Sequence, residues 1–63
     1  MTKSRKTAKE IIVEVLRKAN RPLAVREIER LTGLKYNTIR GRLQELKKAG
    51  VVKHTKEGWV LVS

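Results

Sequence analysis

Apolar residues recur with helical period along most of the chain and with period two only near its end. Ala8, Ile11, Ile12, Val15, Leu16 and Ala19 form one stripe at i, i+3, i+4, i+7, i+8 and i+11, with Val13 off it. Thr7, followed three residues later by Glu10, makes a capping box that opens this helix. Glu14 and Lys18 add a favourable i,i+4 pair, and Asn20 with Pro22 closes the segment. In "RPLAV" the proline pushes Arg21 out of the helical region, and Leu23 offers one buried side chain from a very short strand. A second helix is expected over 25–32, with Val25, Ile28 and Leu31 inward, Gly33 as its stop and Leu34 plugging the corner that follows. A third is expected over 36–49, with Ile39, Leu43 and Leu46 inward, Tyr36 and Ala49 at its ends, and Lys47 and Lys48 suiting the C-terminal dipole before Gly50. The segment 51–62 alternates and reads as a hairpin, "VVKHT", "KEG", "WVLV". Its three-residue loop ending in Gly58 predicts a type I turn with a G1 bulge. Trp59 and Leu61 then share one face, and Val60 and Val62 the other.

These elements amount to one small α+β domain over 7–63, preceded by a loose basic tail over 1–6. A chain of 63 residues buries only about 60% of its unfolded surface. With no cysteine and a single histidine, disulfides and protein metal sites are not expected, and no cofactor is implied. No apolar run approaches the roughly 20 residues of a membrane span, so a cytoplasmic protein is expected. Charge changes the picture most. Sixteen Lys and Arg face six Glu, for a net +10. That density attracts polyanions through long-range fields and counterion release, and nucleic acid is the leading expectation. There is no paired-carboxylate or nucleophile–base constellation, so an enzyme is not expected.

The order helix, short strand, helix, helix, hairpin resembles a winged-helix domain of the helix-turn-helix superfamily. The residues that carry the resemblance are "REIERLTGLKYNTIRGRLQELKKAGVVK" followed by "GWVLV", within a match over about residues 7 to 62. Gly33 and Leu34 stand at the turn, and Ile39, Leu43 and Leu46 at the buried positions of a recognition helix. The resemblance implies a three-helix core, a C-terminal hairpin serving as a wing, and a small sequence-preferring transcriptional regulator that binds double-stranded DNA near the nucleoid. The family's usual hydroxyl N-cap is replaced by Lys35 at the third helix and by Ala24 at the second, each at a cost of about 1 kcal/mol. One subgroup reads left-handed Z-form DNA, but its recognition helix carries Asn and Tyr where Arg40 and Gln44 stand here, so that specificity is not expected.

With the core direction set by Ile39, Leu43 and Leu46, the side chains of Asn37, Gly41, Gln44 and Lys48 point away from it, with Arg40 on their flank. Asn and Gln can pair with adenine, and Arg with guanine or a phosphate. The expected groove contacts are Asn37, Thr38, Arg40 and Gln44, with Lys48 on the same outward face; Lys35 can reach a phosphate, Arg42 either reaches a phosphate or packs its stem along the second helix, and Tyr36 either bonds a phosphate or caps the core. Gly41 costs about 1 kcal/mol inside a helix and is read as clearance for close approach. Lys53, His54, Thr55 and Lys56 are the expected wing contacts, Trp59 is expected to pack at the wing root beside the third helix with its indole N–H open to a phosphate, and Lys3, Arg5 and Lys6 add non-specific affinity from the tail. Val13, Val60 and Val62 leave apolar surface that either covers the core or forms a homodimer contact on DNA. No small-molecule effector is expected. Two other readings remain at this level: a non-specific architectural protein, and a protein-interaction module that docks through Val60 and Val62.

Overall fold

The computed structural model describes residues 6–62. Lys3 and Arg5 of the expected basic tail lie outside the described residues. Three helices are followed by an antiparallel hairpin, an α+β arrangement: α1 Ala8–Ala19, α2 Val25–Thr32, α3 Tyr36–Lys48, β1 Val52–Thr55 and β2 Gly58–Leu61.

Local chemistry sets most of the boundaries. The Thr7 hydroxyl accepts from the Glu10 N–H at 3.2 Å while the Glu10 carboxylate accepts from the Thr7 N–H at 3.1 Å, which completes the capping box of α1. Asn20 ends that helix in the left-handed region at φ 53°. At α2 only half of such a box exists. The Ala24 N–H donates to Glu27 at 3.1 Å, and alanine has no side chain to return the bond. Gly33 closes α2 at φ 77°, and the Thr32 hydroxyl bridges the corner by donating to the Ile28 carbonyl and accepting from the Leu34 N–H. The third helix ends at Lys48, one residue before the expected limit, with exposed Ala49 as its cap. Gly50 at φ 80° then allows a Schellman closure, in which the N–H of Val51 reaches the Leu46 carbonyl and the N–H of Gly50 reaches that of Lys47.

One core forms where the elements meet: Ile12 and Leu16 of α1, Leu23, Ile28 of α2, Ile39, Leu43 and Leu46 of α3, Val52 of β1 and Trp59 of β2. Val13 packs against its edge. Fully burying each such aliphatic side chain is worth about 1.5–3 kcal/mol, which is what holds so short a chain together.

Four expectations are corrected. Leu23 forms no strand of its own. It makes a single antiparallel bridge to Trp59, with N–H···O bonds of 3.0 and 2.8 Å. Leu31 does not face the core and is 58% exposed. Its turn of α2 overhangs an open groove beside Val15 and Ala19 that no element among the described residues covers, whereas Val25, on the other flank of Ile28, is half-buried against the core. The hairpin loop has two residues, Lys56 and Glu57, because Thr55 pairs directly with Gly58 inside the ladder. The Thr55 hydroxyl supplies the closure instead of a bulge, accepting from the N–H groups of Glu57 and Gly58 and donating to the Gly58 carbonyl. Finally, the two faces of β2 are less distinct than strict alternation implies. Trp59 is buried, Val60 and Leu61 are both half-buried, and Val62 is 46% exposed.

Candidate nucleic-acid interface

At about 100° per residue, α3 presents four flanks. Ile39, Leu43 and Leu46 face the core. Tyr36, Arg40 and Gln44, spaced i, i+4 and i+8, run along the flank that lines an open cleft. Asn37, Gly41 and Lys48 point directly outward beside them, and a Cβ added at Gly41 would meet nothing within 4 Å. Thr38, Arg42 and Glu45 occupy the flank toward α1, where Glu45 takes Lys9 of α1 at 3.1 Å and Arg42 at 3.1 Å. The two arginines next to Gly41 therefore separate. Arg40 faces the cleft, and Arg42 is held along its own helix with its Nε enclosed and unpartnered.

The cleft has a volume of about 710 Å³ and is shared by three elements and the connection before α2. Ala24, Val25 and Arg26 come from the start of α2, Tyr36, Arg40 and Gln44 from α3, and His54 and Trp59 from the hairpin. The Leu23–Trp59 bridge sets this geometry, because it ties β2 to the connection that leads into α2. Tyr36, 39% exposed, has two guanidinium carbons near its ring centroid, that of Arg26 at 6.0 Å and that of Arg40 at 5.9 Å. Across the hairpin, His54 and Trp59 are register partners and stack at 4.4 Å with an interplanar angle of 18°.

The cleft carries one sign of formal charge, that of Arg26 and Arg40, and none of the described residues lining it is a carboxylate. Among the described residues the ion pairs are Lys6 and Lys18 with Glu14, Lys9 and Arg42 with Glu45, and Arg21 with Glu27. Arg26 and Arg40 take part in none of them. The carboxyls that do pair are held below the usual carboxylate range, Glu14 mainly by the Lys6 hydrogen bond, Glu27 mainly by the Ala24 N–H, and Glu45 mainly by the Lys9 hydrogen bond.

Of the residues expected at an interface, the cleft gathers Tyr36, Arg40, Gln44, His54 and Trp59. Trp59 is only 5% exposed, so it acts there as the backing of the His54 ring. Lys35, Asn37, Gly41 and Lys48 border the outer surface of α3, and Lys53, Thr55 and Lys56 follow the hairpin outside the cleft. Lys6 is engaged with Glu14 on α1. Sequence reading gave no role to Arg26. The sign was present, a basic residue directly after the inward Val25, but only the long-range Leu23–Trp59 bridge brings that corner to the hairpin. Among the described residues no three His, Cys, Asp or Glu are grouped to hold a metal ion, and no helix is long and apolar enough to cross a membrane. Compared with known protein families, characterised proteins and solved structures, the chain matches none.

Proposed function

We propose that this chain is a winged-helix domain that binds double-stranded DNA with sequence preference, as a small transcriptional regulator working at the nucleoid. In this reading α3 enters the major groove and the β1–β2 hairpin is the wing. The observation that carries it is the lining of the cleft between α3 and the hairpin: Arg26 and Arg40, neither of which takes part in the described ion pairs, and no carboxylate among the described lining residues. An exposed cation with no internal partner keeps its full attraction for a phosphate. Asn37 and Gln44, exposed on the same helix, supply the paired donor and acceptor that read adenine.

Fluorescence anisotropy with duplexes selected from a random library tests the proposal. Affinity is expected to fall with salt at a log–log slope of roughly −0.9 per phosphate neutralised. Arg40→Ala is expected to weaken binding and flatten that slope by about one, whereas Arg17→Ala on α1 leaves both nearly unchanged. An enriched palindrome would mark a two-fold dimer on DNA. No binding at low salt, or binding without a salt slope, overturns the proposal. Equal affinity for unrelated duplexes would replace it with a non-specific architectural role.

A further inference from the structure

We propose that the cleft between α3 and the hairpin seats one unpaired nucleotide of a DNA strand, with its base against the Tyr36 and His54 rings and its phosphate against Arg26 and Arg40. This rests on the reading of this face as a DNA interface.

The shape of the site is the first ground. Side chains that only read a groove stand as a ridge on a convex helix face. Here the cations and rings instead surround a recess of about 710 Å³. That lies within the roughly 300–1,000 Å³ typical of clefts that enclose a small ligand. The second ground is the lining. His54 is exposed, yet one face of its ring is already backed by Trp59 at 4.4 Å, so its orientation is set before anything binds. A pre-oriented ring loses little freedom when a base stacks on its other face. Tyr36 reaches the same cleft from α3, and Val25 gives it an apolar wall. The Gln44 amide offers one donor and one acceptor to the edge of a base that has no Watson–Crick partner. The third ground is electrostatic. With no carboxylate among the described lining residues and two guanidiniums beside Tyr36, the phosphate of that nucleotide meets two cations in the cleft. A fully paired duplex buries its base faces in the stack and cannot use the rings. A strand with an unstacked base can.

The test uses anisotropy at fixed salt with the full chain and two DNAs, a fully paired duplex and the same duplex carrying one unpaired thymidine. The expected result is roughly ten-fold tighter binding to the second. Tyr36→Ala should abolish that preference, lowering affinity for the DNA with the unpaired thymidine about ten-fold more than affinity for the paired duplex, and Tyr36→Phe should retain it. Circular dichroism melting checks that each variant folds, and His54→Ala provides a second variant expected to reduce the preference. Equal affinity of the wild-type chain for the two DNAs overturns this inference and leaves the duplex reading standing. Failure to bind either DNA removes the duplex reading and this inference together. Loss of affinity in Tyr36→Ala that is equal for both DNAs makes Tyr36 a general backbone contact and overturns the inference. Free thymidine monophosphate competing at the cleft, with no difference between the two DNAs, assigns the cleft to a free nucleotide and also overturns it.

Discussion

At Gly58 a methyl group would lie 2.7 Å from both the carbonyl carbon and the carbonyl oxygen of Leu23. Those atoms belong to backbone fixed by the Leu23–Trp59 bridge and cannot step aside like the end of a long side chain. The residue also sits at φ 140°, where L side chains are strained. Gly58→Ala is therefore expected to destabilise the fold by about 2 kcal/mol or more, read as a lower urea midpoint. Gly41 is the opposite case. It has ordinary helical backbone, and its Cβ position is open. Gly41→Ala should raise stability by about 1 kcal/mol by removing the helix penalty of glycine. If α3 lies against a groove, the added methyl should also weaken DNA binding. Unchanged affinity would show that the gap at Gly41 is not used for close approach.

At the scale of elements, α2 is the weakest. It has eight residues, one fully buried side chain, and a cap in which Glu27 bonds the Ala24 N–H without a return bond. Ala24→Ser should complete that box and raise stability by about 1 kcal/mol, with the gain visible in thermal melting. No gain would mean that the Arg21–Glu27 contact already holds this corner in place. The same elements show what the sequence can and cannot reveal. Starts and stops governed by neighbours within a few residues were legible: Thr7 with Glu10, then Asn20, Gly33 and Gly50. So was the inward stripe of α3. What depends on distant partners was not. Leu31 has the spacing of a core residue, but no element among the described residues lies over it. Gly58 looks like a bulge glycine in sequence, yet it is required by the backbone of Leu23, far away along the chain. Arg26 reaches the cleft only because that same bridge draws the hairpin over the start of α2. Of the candidate interface, the α3 residues and the separation of Arg40 from Arg42 were legible from helical spacing, and the link of Arg42 through Glu45 to Lys9 of α1 was not, because it depends on how α1 packs against α3.

For the whole molecule, six Glu temper sixteen Lys and Arg, and their placement matters more than their number. Lys9 and Glu45 join α1 to α3, and Arg21 with Glu27 braces the entry to α2, while the described lining of the cleft holds Arg26 and Arg40 and no carboxylate. This has a consequence in acid. Glu14, Glu27 and Glu45 titrate below the usual carboxylate range in the folded state, so the unfolded chain binds protons first as pH falls. Their contribution is fully present above the ordinary carboxylate values of about 4.3 and is lost as pH drops through the lower folded values. Protonation also leaves the Lys and Arg charges unopposed, and their mutual repulsion adds to the loss. Urea midpoints should therefore hold steady near neutrality and decline below about pH 4.5. Glu45→Gln should lower the midpoint at neutral pH and flatten the acid decline, because one of the carboxylates held below the ordinary range is gone. A variant whose acid decline matched that of the parent chain would show that the Lys9–Glu45–Arg42 cluster contributes nothing to holding α1 against α3.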